Sequence, residues 1–393
     1  MVLGLKKHLR NLDYPLLVII LILSLFGLVM VYSASFVEAG LDPGINDSGY
    51  YFRRQRMWLI LGLMIFFVAS MFSYRSLRKL TQPFFFITVL MLILVLVGFG
   101  VSVNGATRWL DFKIFLFQPS EMAKITMVLY FAHILTSKQD RLDNFSQGIL
   151  PPIMLLMFVF GLIVLQPDLG TATSILIACG IILLFSGARF RHLFALGASG
   201  IALVVGLIFI AGYRRDRLTS FLNPFEDPSG EGYQLIQSLI AIASGKLNGV
   251  GLANGVQKAG YLPEAHTDFI LSIIAEELGL FGVLFVIVTF MAFMYKGVLI
   301  AKRAPDHFGR LLALGITFQV ISQAIINIGA VSGSMPITGI TLPLISYGGS
   351  SMLITFATLG VLMNIAIKGN MKRGYETEEE EETKDFQPIR SVK

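Results

Sequence analysis

Apolar stretches long enough to form membrane helices recur along the chain. They fall at 15–34, 57–73, 83–101, 119–136, 150–166, 169–187, 192–212, 269–295, 308–331 and 347–367. A helix needs roughly 20 mostly apolar residues to cross a bilayer, so the pattern predicts an all-α polytopic membrane protein of ten transmembrane helices. Two boundaries are thin: only Gln166, Pro167 and Asp168 part the fifth and sixth stretches, and the fourth carries Glu121 and Lys124 in its first turns. The first stretch is too long for a signal-peptide core and lacks a small-residue cleavage pattern behind it, so it reads as a retained helix.

Most connections between the stretches are short, but residues 213–267 form a long polar interval, a length that points to function. Within it Leu235, Ile236, Leu239, Ile240 and Ala243 share one helical face, which predicts an amphipathic helix lying along the outer membrane surface. The chain divides into an N-terminal segment 1–14, a ten-helix domain 15–367 containing the outer loop 213–267, and a tail 368–393. The tail holds Glu378 to Glu382 in a row, few apolar residues, and reads as solvated and disordered.

With 55% hydrophobic and 14% charged residues and a mean hydropathy of +0.73, a water-soluble globule is excluded. The net charge of +6 comes from basic residues scattered over loops, which argues against a nucleic-acid partner. Those residues instead orient the chain. If the N-terminus is cytoplasmic, the inner segments carry twice as many Lys and Arg as the outer ones, so both termini are placed inside a plasma membrane. The single cysteine, Cys179, excludes an intrachain disulfide and a metal-thiolate cluster.

This topology puts YLPEAHTDFI, Tyr261 to Ile270, at the outer end of the eighth helix, with Glu264, His266, Thr267 and Asp268 just before an apolar run. A carboxylate at such a boundary is costly unless it is paired or used. Arg108, Arg215 and Arg217 lie on outer loops, where the guanidinium fork suits phosphate oxygens; for Arg215 and Arg217 lipid head groups are an equal alternative. Glu121 and Lys124 are three residues apart and can pair on one helix face, as a buried bridge or as the lining of a functional cavity. His266 and Glu264 read either as loop-holding residues or as site residues. Of Glu276 and Glu277, one is expected to line the cavity and the other to meet a basic partner. The stretch from Ser332 to Ser351, rich in glycine, proline and small hydroxyl residues, breaks helical structure and is expected to form the opposite wall of a pocket; a plain tight turn is the alternative.

The segments NGATRW, QPSEMAK, QPDLGTA, FLNPFEDPSGEGYQLIQS, LPEAHTDFI with EELG, and TLPLISYGGSS resemble those of the SEDS membrane glycosyltransferases, the family that contains FtsW and RodA. The resemblance runs from Gly27 to about Asn364, and GVGLANGVQKAGYLPEAH with AEELG is more similar to FtsW or its sporulation paralogue than to RodA. It implies an enzyme that polymerises lipid II into peptidoglycan strands on the outer leaflet during cell division and septum synthesis. It also implies that the family's essential aspartate is Asp268, its loop arginine Arg108, and its glutamate and lysine Glu121 and Lys124. Implied partners are lipid II, a class B penicillin-binding transpeptidase and other divisome membrane proteins.

The reaction requires a base for the acceptor hydroxyl and positive charge for the departing diphosphate. Burial would raise the pKa of Asp268 toward working pH, as suits a base, and a nearby Lys124 would lower it again. Alternatively Asp268 holds a divalent cation, Mg2+ or Mn2+, against the diphosphate. No organic cofactor is expected. A lipid II flippase and a divisome scaffold for the transpeptidase are the competing classes. The clustering of polar groups on one face and the lack of a convincing internal repeat favour the enzyme, although QPSE and QPDL recur 48 residues apart.

Overall fold

The computed structural model describes residues 8–385 except 104, 114, 211 and 231, with side chains also left undescribed at 208, 210, 213–215 and 374–385. The helices are α1 (Tyr14–Leu41), α2 (Tyr50–Met71), α3 (Tyr74–Leu94), α4 (Pro119–Ser137), α5 (Leu150–Val164), α6 (Leu169–Leu184), α7 (Phe190–Ile210), α8 (Gly212–Leu222), α9 (Tyr233–Gly245), α10 (Ile270–Arg303), α11 (His307–Val331) and α12 (Gly349–Asp385). Among the described residues eight of these, α1, α2, α3, α5, α7, α10, α11 and α12, are long and apolar enough to cross a membrane, α3 and α5 with their flanking turns. The other two expected spans fall short by length or composition. In α4 the polar first turn with Glu121 and Lys124 dilutes the apolar run, and α6 has 16 residues, which rise only about 24 Å. Both are nevertheless packed in the bundle, α4 against α3 and α11, and α6 against α11 and α4.

The centre of the bundle is α11, with 83% of its apolar window buried, whereas none of the corresponding window of α7 is buried. Burial of α11 is unusual in chemistry, because Thr317, Gln319, Ser322, Gln323 and Asn327 are all inside. A polar group left unpaired away from water is costly, so each such side chain must find a partner. Gln319 donates to Ser174 Oγ at 3.0 Å, and Gln323 to the carbonyl of Thr341 at 2.9 Å.

Three departures from the sequence reading concern segments outside the apolar spans. Residues 100–117 form a small antiparallel sheet of β1 (Gly100–Val103), β2 (Ala106–Asp111) and β3 (Leu116–Phe117), in the order β1-β2-β3. Val103 pairs with Ala106, and φ of +75° at Gly105 suits the tight hairpin that an Asn-Gly pair favours. The helix expected to lie on the lipid surface, α9, packs instead against α10 and α11. Its buried face is Leu235, Ser238, Ala241 and Gly245, rotated from the expected one, and Ile240 and Ala243 are exposed. Ser238 decides the rotation: its hydroxyl meets Ser272 Oγ at 2.8 Å and donates to the Val331 carbonyl at 2.7 Å, partners that a lipid surface lacks. At the far end the backbone of α12 continues to Asp385, through the acidic stretch expected to be disordered. Glutamate is a good helix former, and a helix already nucleated by a packed span propagates into it.

Helix α10 is broken at Gly279, whose φ of 64° and ψ of −158° lie in a region essentially reserved for glycine. The break lets the loop after α9 dock onto the helix: Val250 and Gly251 N–H groups donate to the carbonyls of Glu276 and Glu277 at 2.9 and 3.0 Å, and Leu280 N–H donates to Lys246 at 3.0 Å. A Cβ on Gly279 would sit 2.4 Å from the Gly249 nitrogen. Gly279→Ala is therefore expected to destabilise the protein by roughly 1–3 kcal/mol from the backbone conformation alone, read as a lowered unfolding midpoint in detergent. An unchanged midpoint would contradict the close docking.

Candidate active site

Asp268 stands in the last turn before α10. Its backbone carbonyl accepts from Asn327 Nδ2 of α11 at 2.7 Å, and the same amide donates to the carbonyl of Ile340 at 2.7 Å. One side chain thus joins the turn at Asp268 to the irregular segment between α11 and α12. Ser346 Oγ donates to the Thr267 carbonyl at 2.6 Å and Tyr347 N–H to the His266 carbonyl at 2.9 Å, so that segment lies against YLPEAHTDFI along its length. The stretch from Ser332 to Ser351 is a wall of the site, as expected, and not a plain turn.

Gly339, with φ of +69°, sits at the centre of this wall: a Cβ there would lie 3.5 Å from Asp268 Oδ2 and 3.9 Å from Arg108 Nη1. The carboxylate and the guanidinium therefore face the same glycine. Arg108 projects from β2 and is held by the backbone between α5 and α6, donating from Nε to the Gln166 carbonyl at 3.1 Å and from Nη2 to the Pro167 carbonyl. Its position could not be read from spacing, because it depends on the sheet.

Burial pushes the Asp268 carboxyl up to about 7, with the negative charges of Glu264 and Asp168 adding to the rise and Arg108 and Arg217 opposing it. The expected influence of Lys124 is not among these principal causes. Lys124 instead pairs with Glu121 at 2.7 Å, both nearly buried, and donates to Gln323 Oε1 at 2.7 Å. The i,i+3 pair forms as expected, and Lys124 also borders a small cavity of about 20 Å³ with Gln319, Pro343 and Thr355. It reaches the site only indirectly, through Gln323 and the Thr341 carbonyl.

Glu264 adopts a left-handed conformation, φ 56°, and caps its own turn: its carbonyl accepts the N–H groups of Thr267 and Phe269 at 3.2 and 3.1 Å, and its carboxylate accepts Thr267 Oγ1. It is a loop cap whose charge also reaches Asp268. His266 is buried away from the carboxylate, with Nδ1 3.3 Å from Glu38 Oε2 of α1 and its ring 4.2 Å from that of Tyr51. Arg217, on α8, lies 3.5 Å from the Ile337 carbonyl and lines a cleft of about 30 Å³ with Phe221, Gln234 and Leu235. The side chain of Arg215 lies outside the described residues. Of the two glutamates in EELG, Glu277 meets a basic partner, Lys258, whereas Glu276 accepts the N–H groups of Val256 and Gln257 at 2.8 and 3.3 Å and does not border the site.

Sequence reasoning missed Asp168 and Asn327. Asp168 caps α6 by accepting Thr171 N–H at 3.2 Å, and also accepts Ser120 Oγ at 2.9 Å and Gln118 Nε2 at 3.1 Å. The recurrence of QPSE and QPDL was the available signal: the two motifs start α4 and α6 side by side and bind each other. Together with α10, three helix N-termini gather near Asp268, and their positive ends favour an anion. Among the described residues no three His, Cys, Asp or Glu side chains converge to hold a metal.

A model of the FtsW/RodA/SpoVE family, described as cell cycle proteins, matches residues 14–371. The chain belongs to that family. It is 42% identical to a probable peptidoglycan glycosyltransferase FtsW of Trichlorobacter lovleyi, over 92% of this chain and 95% of that protein. It is 41% identical to stage V sporulation protein E of Bacillus subtilis, over 90% of this chain and 96% of that one. Among solved structures it is similar to a chain of a peptidoglycan synthase complex, with TM-score 0.74 and 31% identity over 91% of this chain and 98% of the other. The rod shape determining protein RodA of Thermus thermophilus follows at TM-score 0.67 and 28% identity, over 90% and 96% of the two chains. Membership of this family and the apolar helices make the chain a multi-pass membrane protein.

The raised pKa of Asp268 has a thermodynamic signature. The unfolded chain releases this proton near pH 4 and the folded protein near pH 7, so burial of Asp268 costs nothing below about pH 4, costs progressively more up to about pH 7, and is constant above. Asp268→Asn removes that cost. Its unfolding midpoint, relative to wild type, is expected to be higher at pH 7.5 than at pH 4.5; an equal offset at both would refute the burial argument.

Proposed function

We propose that the protein polymerises lipid II into peptidoglycan glycan strands at the outer face of the plasma membrane, as a division or sporulation member of its family. The observation that carries this reading is the meeting of a partly buried carboxylate with an arginine at Gly339, beside three helix N-termini. Such a site matches glycosyl transfer from a lipid diphosphate. The acceptor sugar hydroxyl forms a new C–O bond at the anomeric carbon and gives its proton to Asp268, while the bond to the diphosphate breaks and its electron pair leaves with the phosphate. A base whose pKa lies near working pH is well suited to this. Arg108 and Arg217 would receive the departing diphosphate, and the helix ends would add to the positive field.

If a divalent cation takes part, Asp268 would hold it, and it would supply further neutralisation of the leaving group. Lipid II serves as donor and acceptor in this reading. Both termini lie in the cytoplasm, and a class B penicillin-binding transpeptidase and other divisome proteins are the partners at the septum. The relatives named peptidoglycan glycosyltransferase and the similarity to a chain of a peptidoglycan synthase complex support this.

Purified protein with lipid II tests the reading, with and without the transpeptidase and a chelator. Asp268→Asn is expected to lose roughly 10²–10⁴-fold in polymerisation, the range for removing a positioned base. The wild-type rate is expected to rise with pH through about 7 and then level off. Full activity of Asp268→Asn would sink the catalytic assignment. Loss of lipid II movement across vesicles with polymerisation intact would identify a flippase, and loss of neither a scaffold. Activity that survives the chelator would remove the cation.

A further inference from the structure

An ion pair on α10 and the loop before it plays no part in the glycosyl transfer proposed above. Lys258 Nζ sits 2.5 Å from Glu277 Oε1, with side-chain exposures of 1% and 0%. Ser33 of α1 completes it, donating to Glu277 Oε2 at 2.6 Å and accepting from Lys258 at 3.2 Å, and the ammonium lies 5.0 Å from the centre of the Phe36 ring. The neighbouring Glu276 accepts the two backbone N–H groups that precede Lys258, from Val256 and Gln257. Consecutive carboxylates of EELG thus grip three consecutive residues of the outer loop.

We propose that Lys258, Glu276 and Glu277 form a latch that positions Asp268 for catalysis. The segment from Lys258 to Asp268 is fixed at one end by this latch and at the other by Asn327, whose amide holds the Asp268 carbonyl. Between them the chain turns twice, with Leu262 N–H on the Gln257 carbonyl at 2.9 Å and then the left-handed Glu264 closing onto Thr267 and Phe269. Since α10 begins immediately after Asp268, Glu276 and Glu277 lie on the helix that the carboxylate precedes. The loop and the helix are therefore locked in register by a charge pair and by backbone bonds, at a site where glycine closeness permits contact: a Cβ on Gly245 would fall 1.8 Å from the Ala275 carbonyl oxygen. An ion pair in so dry a place is a poor way to gain stability, since a well-packed apolar pair commonly does as well. Its directional geometry, however, fixes one register, which apolar packing does not.

The inference rests on Asp268 as the reacting carboxylate, and the test separates the two ideas. Full-length purified protein is compared as wild type, Glu277→Gln, the double variant Lys258→Met with Glu277→Leu, and Glu276→Gln, for unfolding midpoint and for kcat and KM with lipid II. Glu277→Gln, which leaves a buried lone ammonium, is expected to lower the midpoint. The apolar double variant is expected to restore the midpoint while kcat stays roughly 10- to 100-fold down and KM changes less than about twofold, the mark of a misplaced group. A double variant with wild-type midpoint and wild-type kcat, or with only KM raised, overturns the latch. Should that variant not fold, Glu276→Gln decides: it leaves no charge stranded, and an unchanged kcat would overturn the latch as well. Wild-type activity in Asp268→Asn would remove the site reading itself and leave the latch results to describe stability alone.

Discussion

The amide of Asn327 is the joint on which the outer half of the structure turns. One nitrogen donates to two carbonyls, those of Asp268 and Ile340, and so binds the turn before α10 to the irregular segment before α12. Neither segment is helical, and neither could leave its carbonyls bare in an apolar bundle. The central helix α11 exists in its peculiar form to solve this. It is buried almost throughout, yet carries Gln319, Gln323 and Asn327 inward, each answering a backbone or hydroxyl group of the irregular elements or of α6.

From that constraint the electrostatics follow. Packing the wall against the turn buries Asp268, and burial, more than any one charge, lifts its pKa toward neutrality. Glu264 and Asp168 reinforce the shift because the same packing brings both close, Asp168 through its ties to Ser120 and Gln118. Arg108 opposes it from a strand whose only role near the site is to carry that side chain. At position 339 a Cβ would meet the carboxylate and the guanidinium only at ordinary van der Waals distance, so what calls for glycine there is the backbone, with its φ of +69°.

Much of the arrangement was legible in the chain. The apolar periodicity named nearly every membrane helix, and the polar residues just before Leu271 marked the site, because charged and hydroxyl groups at the entry of a span have few explanations. The i,i+3 spacing of Glu121 and Lys124 foretold their pairing. What escaped was everything set by contact between segments distant in sequence. Ser238 rotated α9 off the lipid surface because its hydroxyl had partners on α10 and α11. Lys124 was expected near Asp268, whereas its ammonium turned to Glu121 and Gln323.

The sequence by itself determined that this is a membrane bundle, where its irregular segments fall, and which short motif sets polar groups at the entry of a span, because hydropathy, helix-breaking residues and the cost of charge near lipid are local properties. Only the tertiary structure decided that Arg108 and Asp268 share a glycine, that Asp168 and Asn327 lie about Asp268, and that Glu276 and Glu277 hold a loop. Those facts depend on which buried donor reaches which acceptor across the bundle. Hydrogen-bond partners reached across the bundle are a property of the packed whole, and no stretch of the chain contains them.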